Sequence, residues 1–160
     1  MSSNPTQVTA PEGQPYIDIV REFDAPPALV HRAHTDASLV ERWLGPDGLA
    51  IEFDHYDART GGSYAYTNID PGGGRYGFRG SFHLVEDELI VQTFEFDGWS
   101  GHVSLESMRL IALPGGRTRI ENHAVYQSVQ DRDGMVDSGM ESGLTEGYAK
   151  LDGVLAELSD

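Results

Sequence analysis

Between Leu49 and Tyr126, apolar residues recur at every second position, as in β-strands that bury one face. Tyr64 and Tyr66, for example, fall on the same face of one such run. Turn sequences separate the runs, and Pro114–Gly116 marks a hairpin. The pattern therefore predicts six short antiparallel strands here, and Tyr16–Phe23 predicts a seventh before them.

The Tyr16–Phe23 strand carries a mixed face. Ile17, Ile19 and Phe23 share one side of it, and Arg21 interrupts that apolar set. The alternation predicts a strand but does not say where the charged side chain finds a partner.

Two short helices should follow this first strand. Pro26–Pro27 suits the first turn of a helix, because proline lacks only an N–H that would be unpaired there. Thr35–Asp36 supplies N-cap chemistry for a second helix with Leu39 and Trp43 on its apolar side. Gly45–Pro46 should end that helix.

The last segment has a helical period. Its apolar residues predict one long amphipathic helix over residues 133–158. Gly139, Gly143 and Gly147 lie four residues apart, although each interior glycine costs a helix about 1 kcal/mol relative to alanine. Two explanations remain open: close packing of the helix on a neighbour, or space left for a ligand.

The first fifteen residues differ from the rest. They are rich in Ser, Thr, Pro, Gly and Gln and lack the basic and hydrophobic segments of a signal peptide. We therefore expect residues 1–15 to form a disordered leader and residues 16–158 to form a single domain.

Composition narrows the function classes. The chain of 160 residues has a net charge of −15, which disfavours nucleic acid and anionic membranes as partners. It has no cysteine, so disulfides and thiolate chemistry are excluded. No apolar run approaches the length of a membrane helix, and no motif indicates a cofactor. We expect a cytoplasmic protein without cofactors, either a monomer or a homodimer.

Five sequence motifs, taken in their order along the chain, indicate a more specific fold. They are Phe23–Pro26, Thr35–Asp36, Trp43–Pro46, Asp57–Gly62 and Gly139–Gly143. Together they resemble the family related to the activator of the heat-shock-protein-90 ATPase, within the START and pollen-allergen-like (SRPBCC) superfamily. The resemblance covers about residues 16–158. It implies an α+β helix-grip fold, in which a curved antiparallel sheet of about six to seven strands wraps around the long C-terminal helix. The family often has Trp-Trp-Gly-Pro where this chain has Leu44, so any pocket shape that depends on the second tryptophan should differ.

The resemblance implies a function less sharply than a fold. Our first hypothesis is non-catalytic binding of a small hydrophobic ligand between the sheet and the C-terminal helix. The alternatives are a chaperone co-factor or stress-response interaction module, and an enzyme of the polyketide cyclase or dehydratase type.

Large apolar and aromatic side chains are the candidate ligand contacts, since they would converge if the regularly spaced strand face is the concave one. A filled core would use the same residues. The candidates are Trp43, Tyr64, Tyr66, Phe78, Phe82, Phe94, Trp99, Met140, Leu144 and Tyr148.

Polar candidates for chemistry are scattered. His31 and His34 are three residues apart and could face one metal ion if they lie on an unbroken helix. Histidine pairs at this spacing are common by chance, so we expect no metal site. Four further histidines lie on different predicted strands, where two could meet, or one could meet Glu121, as an acid–base pair. Arg109 and Glu121 could form an ion pair in a pocket or lie on the solvent face, and Arg59 should brace its turn by pairing with a carboxylate. The four histidines are His55, His83, His102 and His123.

Overall fold

The computed structural model describes residues 4–159 and confirms the α+β helix-grip fold. One antiparallel sheet of eight strands, in the order β1-β2-β8-β7-β6-β5-β4-β3, curves around the C-terminal helix. The strands are β1 Thr6–Thr9, β2 Tyr16–Phe23, β3 Ala50–Tyr56, β4 Ser63–Ile69, β5 Arg75–Val85, β6 Leu89–Phe96, β7 Val103–Leu113 and β8 Arg117–Val125. The helices are α1 Pro27–Thr35, α2 Ala37–Val40, α3 Val129–Asp137 and α4 Met140–Leu158.

The prediction of a disordered leader is wrong over Thr6–Thr9, which form β1 along the outer edge of β2. Asn4 continues this contact by donating from its side-chain amide to Asp24 at 3.2 Å. Backbone pairing needs few apolar side chains, so the polar composition hid the strand. Residues 1–3 of the expected leader lie outside the described residues.

The long C-terminal helix is confirmed, but its predicted start at residue 133 is wrong. α3 ends at Asp137, and α4 begins at Met140 after Gly139, whose φ of +84° belongs to the left-handed region. Residues other than glycine seldom adopt that backbone conformation, so Gly139 allows the break between the two helices. Apolar residues keep their helical spacing on both sides of the break, and the sequence pattern therefore did not reveal it.

The surroundings of the glycines in α4 decide between close packing and space left for a ligand. A Cβ added at Gly147 would lie 3.0 Å from the Trp43 carbonyl oxygen, and one at Gly143 would lie 3.5 Å from Pro46. α4 therefore packs closely on the turn that follows α2. Gly153, in contrast, faces open space.

An ion pair also ties α4 to the sheet. The Arg21 guanidinium of β2 donates to both carboxylate oxygens of Asp152 on α4, at 2.8 and 2.7 Å. The Arg21 side chain is only 4% exposed, and its guanidinium carbon lies 4.7 Å from the centroid of the Phe23 ring. Arg21, which interrupts the apolar face of β2, thus has its partner on the helix that covers this face.

We predict opposite effects for two alanine substitutions in α4. Gly153→Ala should stabilise the protein by about 1 kcal/mol, because alanine favours the helix and meets no neighbour. Gly147→Ala should give no gain or a net loss, because its methyl group crowds the Trp43 carbonyl. Urea denaturation of both variants measures the difference, and equal gains would contradict close packing at Gly147.

We also predict that Asp152→Ala lowers the free energy of unfolding by about 3–5 kcal/mol, because it leaves the Arg21 charge buried without its partner. Glu157→Ala on the same helix is the control. Glu157 pairs with Arg42, and both side chains are exposed, so its loss should cost less than about 1 kcal/mol. Similar urea midpoints for the two variants would show that the Arg21 pair does not hold α4.

Candidate functional site: the concave face of the sheet

The interior contains two separate clusters of buried apolar side chains. The helix cluster joins β2, β7 and β8 to α1 and α4, and includes Phe23, Ile120 and Leu151. The sheet cluster lies on the other half of the concave face, and its buried members are Tyr64, Tyr66, Phe82 and Ile90. α4 thus packs against one half of the curved sheet.

Half-buried side chains separate the two clusters. Strand register places Gln92 and Glu106 in one row with buried Ile17, and Met108 and Asn122 in another with buried Ile19. These positions face inward, yet Gln92, Glu106, Met108 and Asn122 keep partial exposure. We call this strip of partly exposed side chains between the two clusters the cleft.

Leu44, which stands where the family often has the second tryptophan of Trp-Trp-Gly-Pro, lies beside this cleft. Leu44 is half-buried and packs against both clusters, as Met108 does. Leucine is smaller than tryptophan, so the exchange removes aromatic volume beside the cleft.

Stacked aromatic rings form the wall of the cleft on the sheet side. Tyr64 stacks on Tyr66 with ring centroids 6.1 Å apart, and Tyr66 stacks on Phe78 at 5.3 Å. Phe78 in turn stacks on Phe94 at 5.4 Å. The wall crosses three neighbouring strands, β4, β5 and β6, and its partly exposed rings are Phe78 and Phe94.

Gly80 leaves the space that the Tyr64 ring occupies in this wall. The Tyr64 hydroxyl donates to the Thr93 carbonyl oxygen at 2.6 Å, so its ring lies across the intervening strand β5. A Cβ at Gly80 would lie 2.0 Å from that carbonyl oxygen and 2.6 Å from the Tyr64 hydroxyl. Gly80 therefore allows this close approach, because it has no side chain.

A carboxyl group lies in the middle of this face. Burial raises the pKa of Glu106, and the Asn122 side-chain amide partly opposes this shift by donating to Oε1 at 3.3 Å. Burial also raises the pKa of Tyr64, Tyr66 and Tyr148, and the negative charge of Glu106 raises each of them further. Glu106 thus lies among phenols from both sides of the cleft.

The structure divides the candidate contacts between the two clusters and leaves Trp99 apart from both. Five of them, Tyr64, Tyr66, Phe78, Phe82 and Phe94, lie on the sheet side, and Met140 and Leu144 are half-buried on α4. Trp43 and Tyr148 are almost fully buried in the helix cluster instead, where the Trp43 indole donates to the Ala33 carbonyl at 3.0 Å. Trp99 is 43% exposed and stacks on His102 with ring centroids 4.1 Å apart.

Sequence reasoning missed Gln92, Glu106 and Asn122, the polar side chains on the concave face between the clusters. Their signal is a polar residue in phase with the buried positions of its strand, as Glu106 is with Ser104 and Leu110. This signal becomes visible only once the buried phase of each strand is known.

A small cavity of about 30 Å³ lies at one end of the sheet, where Phe94, Trp99, Tyr126 and Met135 are among its lining residues. That volume holds about one water molecule. It is too small for an organic ligand.

The histidines do not form a catalytic or metal-binding cluster. His34 Nδ1 lies 2.7 Å from the Val30 carbonyl oxygen, whereas His31 Nε2 lies 3.0 Å from the Glu86 carbonyl oxygen, so these two are used separately. Among residues 4–159, no three potential ligands converge on a metal position. His55, His83 and His123 are exposed.

His102 has an acidic partner, but at the edge of the fold. Its Nδ1 lies 2.9 and 3.0 Å from the two carboxylate oxygens of Asp131 at the start of α3. Arg109 and Glu121 are paired in register on the outer face of the sheet, where Glu121 accepts a hydrogen bond from Arg119 at 3.0 Å. Arg59 pairs with Asp57 at 2.8 Å, which confirms the predicted carboxylate partner.

Comparisons with known proteins agree with this architecture. The sequence profile described as Activator of Hsp90 ATPase homolog 1-like protein matches residues 24–156. A crystal structure from Rhodobacter sphaeroides has a TM-score of 0.87 at 25% identity, and the match covers 96% of this chain and 99% of that one. A solution structure from Arthrobacter aurescens has a TM-score of 0.84 at 26% identity, covering 94% and 91%.

A third structure carries a family name. The AHSA1 protein from Silicibacter pomeroyi has a TM-score of 0.71 at 22% identity, over 88% of this chain and 97% of that one, which shows a shared fold. No curated protein matched this chain. Within residues 4–159, no helix is long and apolar enough to cross a membrane.

His34 should make stability depend on pH. Burial lowers its pKa to about 4 from the ordinary 6.5, and its Nε2 is buried without a hydrogen-bond partner among the described residues. The unfolded chain therefore takes up a proton near pH 6.5, whereas the folded protein does so only near pH 4. Stability should thus fall as the pH drops from 6.5 towards 4, by about 2 kcal/mol between pH 7 and pH 5 from this residue alone.

Urea denaturation of wild type and His34→Gln at these two pH values isolates the effect. The variant should lose about 2 kcal/mol less than wild type on acidification, because its side chain does not titrate. Parallel losses would contradict a neutral, buried His34.

Proposed function

Because this chain belongs to the Activator of Hsp90 ATPase homolog 1-like protein family, we propose that its concave cleft binds a small, largely apolar molecule without chemical conversion. The observation that carries the proposal is the division of the core into two clusters. Apolar and aromatic side chains between them keep contact with solvent in an otherwise close-packed domain.

Burial of apolar surface supplies the driving force. A ligand in the cleft would cover the half-buried faces of Phe78 and Phe94 on the sheet side and of Leu144 on α4. Each Å² of apolar surface removed from water contributes about 25 cal/mol. The stacked rings are already fixed by their neighbours, so little side-chain freedom is lost on binding.

Residues of the helix cluster are poor probes of binding. Tyr148 is 5% exposed and packs edge-on against Phe23, with ring centroids 5.4 Å apart. Tyr148→Ala would remove part of the core and cost about 3–5 kcal/mol of stability. A probe of the cleft must instead change a half-buried position.

We predict that Leu144→Trp blocks ligand binding. Leu144 is half-buried on α4 beside the helix cluster, and an indole there would extend into the cleft. The measurement is thermal unfolding with flavonoids, fatty acids, sterols and polyketide aromatics. A ligand at 100 times its Kd should raise the Tm of wild type by roughly 5–11 °C and that of Leu144→Trp by much less.

The matched control is Thr145→Trp, which adds the same side chain at the next, exposed position of α4. It should keep the full ligand-induced shift. Loss of the shift in both variants would point to disturbance of α4, and no shift in wild type across the panel would contradict the proposal.

The family description also supports a second candidate, a co-chaperone that docks on another protein. The net charge of −15 would then contribute to docking, and binding should weaken steeply with added salt. Docking through exposed acidic groups should be insensitive to Leu144→Trp, which separates this candidate from ligand binding in the cleft.

A further inference from the structure

We propose that the cleft selects an apolar molecule carrying a protonated amine, which pairs with Glu106 and donates to the Asn122 side-chain oxygen. This inference rests on the proposed function and names the ligand class for the same site. It depends on three features: the place of Glu106 in the sheet, its hydrogen bonding, and the charges around it.

Strand register places Glu106 at the centre of the concave face. Gln92 lies beside it on β6 and Ala124 beside it on β8, and the next residue across from Ala124 is the fully buried Ile17. Glu106 nevertheless keeps partial exposure on this face. A ligand lying against the aromatic wall would have this group at its side.

The hydrogen bonds at this point leave acceptors unused. Asn122 donates from Nδ2 to Glu106 Oε1 at 3.3 Å, which turns the amide oxygen of Asn122 to its other side. That oxygen is buried and has no partner among the described residues. A carboxylate and an unpaired amide oxygen are both acceptors, so a group that donates several hydrogen bonds can pair with them together. An ammonium group has three donors and no acceptor.

Charge favours the ammonium over a neutral donor. Arg21, a cation of the concave face, is already paired with Asp152 and also donates to the Glu22 carbonyl oxygen at 2.8 Å. Glu106 thus has no cationic partner among the described residues, and a buried charge without one is costly. An amine would supply the missing charge, whereas a carboxylate ligand would be repelled. The net charge of −15 also raises the local concentration of cations.

Three matched probes test the inference: 2-(aminomethyl)naphthalene, 2-naphthalenemethanol and 2-naphthoate. They share one ring system and differ in a cationic, neutral or anionic group. Calorimetric titration at neutral pH should show that the amine binds wild type at least about tenfold more tightly than the alcohol, with the naphthoate weakest.

Glu106→Gln keeps the shape of the side chain and removes its charge. In this variant the amine should lose its advantage, whereas the alcohol should bind within about twofold of its wild-type affinity. The control is Glu121→Gln, which makes the same change on the outer face of the neighbouring strand β8. It should keep the preference for the amine, since the overall charge is the same in the two variants.

The outcomes separate this inference from the function on which it rests. If wild type binds the alcohol or the naphthoate as tightly as the amine, selection by Glu106 is overturned and binding in the cleft stands. If none of the three binds, both fail. Equal binding of the probes to wild type overturns the inference even where Glu106→Gln does not fold.

Discussion

The buried ion pair between Arg21 and Asp152 sets the position of α4, and the rest of the interior follows from that position. A bidentate pair has little tolerance in distance or angle, so it fixes one point of the helix over β2. Gly147 fixes a second point, where the helix backbone approaches the Trp43 carbonyl. Two fixed points define the axis of a helix. α4 is therefore held over one half of the sheet and does not shift towards the other half to fill it.

The cleft is a consequence of this anchoring. A helix free to move would settle where it buries the most apolar surface, over the middle of the concave face. Held at Arg21 and Gly147, α4 leaves Phe94 and Met108 half-buried and Glu106 in reach of solvent. Uncovered apolar surface lowers stability, and a buried ion pair often contributes less than apolar residues of the same size would. A sequence that combines both features gives up stability at the place where a ligand would restore it.

Much of this fold could be predicted from the sequence, because strand alternation and turn chemistry act locally. The bounds of β2 and the Asp36 cap of α2 follow from a few neighbouring residues. Features that depend on distant partners could not be read in this way: β1 depends on the free edge of β2, and the burial of Arg21 depends on Asp152, 131 positions away. The break at Gly139 was hidden because the apolar spacing of the two helices is continuous across it.

In the candidate site, the location depends on the backbone and the proposed selectivity depends on side chains. Its location depends on the curvature of the sheet and the anchoring of α4, which belong to a fold shared at about 25% identity with the Rhodobacter sphaeroides structure. The selection that we propose depends instead on a few inward side chains, of which Glu106 supplies a carboxyl group and Asn122 a hydrogen bond. Exchange of Glu106 for an apolar residue would leave the strand pattern intact and change the class of ligand. Family membership therefore gives the fold in which we propose a binding site, and the proposed selectivity rests on the polar residues of the concave face.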